Sequence, residues 1–241
     1  MKQSGSFSKV MACAVALSGV VLVSSAQAIE VGKAVVQKVE GQAQYAEGGN
    51  WLPLKAGQVL KPGSVVRTAN ESKADLYLDE NGPLVRLMEN TTLGIDKLNF
   101  EITGVDTIVE TQLDLKSGKI VGIVKKLAAT SKYEIKTPNG VAGIRGTEYV
   151  VSATGEVYVL AGSAVVVYVK SDGTVVTQVV NAGEMFDPST GTVKPIPQDQ
   201  LPQWLSQVND VRGAPTAGLT VEEPTIIFIS PTTGNNSSVR R

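Results

Sequence analysis

Short runs in which apolar and polar positions alternate dominate the chain between residues 30 and 195. They include "KAVVQKV", "AQYAE", "SVVRTA", "ADLYLDENGPLVRLM", "KIVGIV", "KYEIKT", "TEYVVS", "EVYVLA", "AVVVYV" and "TVVTQVV". Successive side chains on a strand point to opposite faces, so a period of two predicts half-buried strands. The enrichment in Val, Ile, Thr and Tyr agrees. In "ADLYLDENG" the pattern puts Ala74, Leu76 and Leu78 on one face and Asp75, Tyr77 and Asp79 on the other. "DENGP" then predicts a hairpin or corner, with Asn81-Gly82 able to take positive φ.

The second half is more regular. Gly155, Gly162, Gly173, Gly183 and Gly191 are expected to close successive strands, at a spacing that suits sandwiches, barrels and short-rung solenoids. Tyr149, Tyr158 and Tyr168 recur one per strand. They fit either packing between neighbouring strands or a stacking face for a sugar or peptide. The expected class is therefore all-β.

Beyond Pro197 the period changes. "DQLPQWLSQVNDVRG" places Leu201, Trp204, Leu205, Val208 and Val211 on one helical face, with Asp199 as N-cap and Gly213 as stop. This predicts an amphipathic helix over residues 198–213 that covers an end or edge of the β domain, or alternatively docks a partner. Residues 214–241 read as a linker, a short apolar run "TIIFIS" at 225–230 and a disordered tail. The run is too short to span a membrane and suits an edge strand, either of this domain or of another protein.

The N-terminus alters the inventory. Lys2 and Lys9 precede an apolar stretch at residues 10–23, and Ala26-Gln27-Ala28 offers a small-residue cleavage site. This pattern predicts a signal peptide at 1–28, export to the periplasm or beyond, and no transmembrane span after cleavage. Cleavage would also remove Cys13, the only cysteine, and the chain has no histidine. Disulfides, thiolate nucleophiles, Ser-His-Asp catalysis and His- or Cys-liganded zinc are thereby excluded from the mature chain. The full chain has a formal net charge of -1 and the mature part is slightly more acidic, because the signal takes two lysines with it; neither carries a nucleic-acid footprint.

Candidate chemistry is sparse. "GVAGIRG" has three evenly spaced glycines, but it matches neither phosphate-loop pattern. A strand follows it, whereas an anion site needs a helix N-terminus there. Its glycines instead suit a sharp turn or a close strand approach. Arg145 is then expected to clamp Glu148 or main-chain carbonyls, with a surface anion-binding role as the alternative. Asp79-Glu80 and Glu222-Glu223 are adjacent acids in a turn and a linker. No pair is nominated for glycoside hydrolysis and no calcium loop appears. No cofactor, metal or catalytic residue is expected.

"IKTPNGVAGIRGTEYVV", followed by "GEVYVLAGSAVVV" and "GTVVTQVVNAGE", resembles the FecR domain. The residues that carry the likeness are Thr137, Pro138, Arg145, Gly146, Thr147 and Tyr149, then Leu160, Gly162, Ala182 and Gly183. The resemblance runs over about residues 57–191, within an all-β unit at 29–197. It implies an extracytoplasmic, non-catalytic domain similar to a short β-solenoid or β-sandwich. Fuller family members join an anti-sigma segment, one transmembrane helix and this domain, and they sense a ligand-loaded outer-membrane transporter. No cytoplasmic segment precedes the signal here, so any such signalling is expected to act in trans. The expected function is binding of an envelope protein or surface glycan. The alternatives are a carboxylate-based polysaccharide enzyme and an architectural protein that assembles through residues 225–230.

Overall fold

The computed structural model describes residues 28–82, 84–104 and 106–213. Residues 1–27, which hold most of the expected signal peptide, and residues 214–241, with Glu222, Glu223 and the run at 225–230, lie outside the described residues.

The first strands are β1 (Glu30–Val31), β2 (Ala34–Glu40), β3 (Ala43–Ala46), β4 (Trp51–Pro53), β5 (Val59–Leu60), β6 (Val65–Thr68) and β7 (Lys73–Tyr77). A 3-10 turn at Asp79–Asn81 leads to β8 (Leu84–Leu87), β9 (Thr92–Thr103), β10 (Asp106–Ser117) and β11 (Lys119–Ile123). Then come β12 (Lys132–Thr137), β13 (Gly140–Ser152), β14 (Val157–Val169), β15 (Val175–Asn181), β16 (Glu184–Asp187) and β17 (Thr192–Pro195). One helix, α1 (Leu201–Arg212), ends the described chain.

Followed pair by pair, the ladders make one connected sheet that wraps a core like a barrel wall but does not return to its starting strand. It is mixed, because β10 and β12 run parallel. One layer has the order β4-β3-β6-β9-β10-β12-β13-β14-β15. The other has the order β5-β2-β7-β8-β11-β13-β14-β16-β17. The long strands β13 and β14 belong to both. β12 pairs with the first part of β13 and β11 with its last part, on the same edge. β15 and β16 divide β14 in the same way. The result is an all-β sandwich creased along two shared strands.

The core shows how the crease works. On β13, Ala142 and Ile144 face inward before it, and Tyr149 and Val151 face inward after it. The inward positions change from even to odd numbers. A strand can make that change only by inserting a residue, and the register of β13 against β14 shifts between Arg145 and Tyr149. On β14 the same happens between Val159 and Ala164. Both halves of each strand thus point apolar side chains at one core. Tyr168 from one layer meets Phe186 from the other with ring centroids 5.5 Å apart. At the 3-10 turn, Asn81 donates to the Asn99 carbonyl at 2.7 Å and to Thr111 Oγ1 at 3.1 Å, tying the corner to the opposite layer. Positive φ falls at Asp79 and Gly82 in this corner, rather than at Asn81.

Helix α1 covers the outer face of the second layer, rather than an end or edge. Trp204, Val208 and Val211 bury against Leu84, Val121, Val150, Tyr158, Met185 and Ile196. Each such side chain contributes about 1.5–3 kcal/mol. Leu201 packs partly, whereas Leu205 is exposed. The helix starts at Leu201 with Gln200 in the cap position and Pro202 in its first turn, so Asp199 is not the cap. Pro202 has no amide to orphan there, which reduces the need for a side-chain cap.

Candidate functional site

The residues of the "GIRGT" stretch form the crease. Gly146 takes φ 63 and Gly162 takes φ 81, on adjacent strands. A Cβ on Gly162 would lie 2.1 Å from the Gly146 carbonyl oxygen and 3.0 Å from Thr147 Cα. Thr147 is buried, and its hydroxyl donates to the Ser163 carbonyl at 2.6 Å. Gly162 therefore bends β14 from within, instead of closing a strand. Thr137 ends β12, and its hydroxyl donates to the Gly140 carbonyl at 3.2 Å across the turn holding Pro138. Gly183, at φ 83, turns β15 into β16 and donates its amide to Val159 at 2.8 Å.

Arg145 is not a clamp. It is exposed on the outer side of β13 and makes no hydrogen bond or ion pair among the described residues. Glu148 pairs instead with Arg212 at the end of α1. Flanking glycines let the backbone bend without help from the guanidinium. The buried clamp lies elsewhere: Arg86 Nε and Nη2 donate to Asp75 at 2.6 and 2.8 Å, with both residues buried beneath the helix side of the second layer.

The three tyrosines share no exposed face. Tyr149 lies in the core, covering Gly122, where a Cβ would be 2.3 Å from its hydroxyl oxygen. The Tyr149 and Tyr133 hydroxyls are 3.2 Å apart. Burial pushes both phenols well above their ordinary pKa, so both stay protonated. Tyr158 faces the opposite way, against Trp204 under α1, with ring centroids 5.5 Å apart. Tyr168 packs on Phe186. Tyr149 is in register with inward-facing Val159, and Tyr158 with Val150 under the helix, so these two tyrosines take opposite faces. The phase change on β14 then turns Tyr168 inward, and no stacking platform forms. Tyr133→Phe leaves the Tyr149 hydroxyl without its partner; the expected loss is about 1 kcal/mol in urea unfolding.

The carboxylates do not assemble a hydrolytic pair in the open concavities. One concavity is walled by Gln42, Gln44, Leu54 and Arg67, and another by Thr137, Pro138, Tyr168 and Lys170; neither holds an acid. A third, beside β9 and β10, contains Glu101 and Glu110. Lys97 Nζ donates to Glu110 at 2.8 Å and holds its pKa below the usual range, opposite to the shift a general acid requires.

What the fold does expose is apolar. Val165, Val167 and Val169 on β14 and Val175 and Val179 on β15 share the outer face of the first layer, and all are exposed. Val165 faces Gly143 on β13, which has no side chain to cover it. Beside this face, β15 pairs only with β14 among the described residues, so its other edge is open. Its sequence, "VVTQVVN", carries no charge or proline to discourage pairing. Arg145, Ser163 and Asn181 lie in register at the crease end of the face. The signal for this surface is local: "AVVVYV" and "TVVTQVV" put valines at consecutive positions, which leaves both faces apolar.

Known proteins place the crease in a family. Residues 64–179 match the family model for FecR protein, inside the 57–191 stretch where the motif resemblance lies. A candidate anti-sigma factor from Parabacteroides distasonis, solved in two crystal structures, is 13% identical over 58% of this chain, with TM-scores of 0.44 and 0.42. The match spans 64% and 63% of those chains, less than two thirds of their length. No curated protein matches. Residues 64–179, with the glycine crease in their second half, carry a FecR domain.

Proposed function

We propose that this protein is an exported, non-enzymatic binding module whose FecR domain recognises an extended segment of an envelope protein. The observation that carries this reading is the exposed valine face of β14 and β15 beside an open strand edge. Strand addition there would pair backbone groups along β15, and the valines would take the partner's apolar side chains. Arg145, at the crease end, offers one cation to a partner acid or terminal carboxylate. Export is supported by the basic, apolar and small-residue succession of residues 2–28. FecR proteins are regulatory rather than catalytic, and a role in envelope signalling in trans fits that kind. The surface-glycan alternative has less support, because the tyrosines are not exposed together.

The test is site-specific photo-crosslinking in intact envelopes. A benzophenone side chain at Val167 or Thr177 is expected to yield a discrete protein adduct, and the same probe at Gln203, on the helix, is not. Val165→Asp with Val179→Asp should reduce the adduct at least tenfold while leaving the melting temperature nearly unchanged, since both valines are exposed. No adduct at Val167 or Thr177, or one indifferent to the two aspartates, would refute the reading.

A further inference from the structure

We infer that the first occupant of the β15 edge is this chain's own apolar run at residues 225–230, paired antiparallel to β15. This rests on the reading of β15 as a strand-recognising edge and adds its regulation: a partner must displace the run.

The route is set by where α1 ends. Arg212 pairs with Glu148, which lies on β13 at the crease and shares its outward side with Val150 beneath the helix. The chain therefore leaves α1 on the outer surface at the crease. Glu148 is in register with Ala161 on β14, and Ser163, two residues on, with Asn181 on β15. Ladder spacing is about 4.8 Å, so the open edge lies roughly 15 Å from that point. Residues 214–224 span roughly 35 Å when extended, which is ample. A chain arriving at the Asn181 end must run toward Val175, against the direction of β15.

Composition and charge agree with that direction. "TIIFIS" alternates Ile226 and Phe228 with Ile227 and Ile229, giving two apolar sides. One extends the outer valine face and the other the inner row of Val176 and Val180, which pack with the core. Glu222 and Glu223 precede the run by one residue, Pro224, and this orientation brings them to the crease end, where Arg145 is exposed. The opposite orientation would carry them away from it.

The edge amides supply the readout. Lys170 donates to the Thr174 carbonyl at the hairpin end, and the alternation from there points the Val176, Gln178 and Val180 amides at β14. The Val175, Thr177 and Val179 amides face the open edge. The Asn181 amide, on the same side, bonds the Glu184 carboxylate at 2.8 Å.

Hydrogen exchange on the isolated full chain tests the proposal with no partner present. Val175, Thr177 and Val179 amides should exchange at least tenfold more slowly in the wild type than in the Ile227→Asp, Phe228→Asp double variant. Val176, Gln178 and Val180 amides should be alike in both, which reports that the sandwich is intact. Equal exchange at the edge amides overturns the proposal. So does protection that rises with protein concentration together with a doubled light-scattering mass, because the occupant is then a second copy. Loss of edge protection as a result leaves the envelope crosslinks to stand or fall separately; crosslinking should also rise in the double variant, whose edge is vacated.

Discussion

Asp75→Ala is expected to destabilise the protein by about 3–5 kcal/mol. Asp75 and Arg86 are register partners on β7 and β8, and they are 2% and 5% exposed. Their side chains point away from the core into the layer covered by α1, where Arg86 Nη1 also lies 3.9 Å from Asp210. The carboxylate accepts two parallel bonds from the guanidinium, a geometry that compensates both desolvated charges. The Asp75 carboxylate also raises the pKa of Arg86 further, so the arginine cannot escape by losing its proton. Removing Asp75 leaves a buried cation with only the more distant, exposed Asp210 and Glu40 near it. Urea unfolding should show the loss with an unchanged m-value. Asp75→Leu with Arg86→Leu should recover most of it, because an apolar pair needs no compensation. A cost below about 1 kcal/mol for Asp75→Ala would mean that water reaches the pair.

Gly162→Ala should be nearly as damaging, at about 3–5 kcal/mol, for a different reason. Its φ of 81 lies in the left-handed region, which an L-residue enters at a cost of about 1–2 kcal/mol. Its added Cβ would also sit 2.1 Å from the Gly146 carbonyl oxygen, and backbone on the neighbouring strand cannot yield without opening the crease. Gly183→Ala separates the two contributions: its φ of 83 is alike, but nothing lies within 4 Å of the new Cβ. It should lose only the conformational part, about 1–2 kcal/mol. Equal thermal shifts for the two variants would show that close approach is not what makes Gly162 a glycine.

Local sequence encodes part of this fold and not the rest. Alternation located the strands, since Ala74, Leu76 and Leu78 do face the core together. Spacing in the "GIRGT" and "GSAVVV" stretches located the FecR domain. The same spacing misdirected the candidate site. Tyr149, Tyr158 and Tyr168 recur regularly in number, but hairpin register puts Tyr149 and Tyr158 on opposite faces, and the bulge on β14 reverses which face odd and even residues occupy before Tyr168. The ten-residue interval from Tyr158 to Tyr168 therefore says nothing about a shared surface across the crease. Arg145 likewise sits in the motif while its expected partner, Glu148, is taken by Arg212 from 64 residues away.

By itself, then, the sequence determined an all-β unit with its strands, its turns, an amphipathic helix and the family motif, because each of these is encoded by neighbours within a dozen residues. The tertiary structure alone decided that two strands serve both layers, that the helix covers a face, that Asp75 meets Arg86 and that valines line an open edge. Those features depend on register and on which strands lie side by side. Pairings between distant segments, such as β10 with β12 or α1 with β11, are set by the packing of the whole core and leave no local period in the chain.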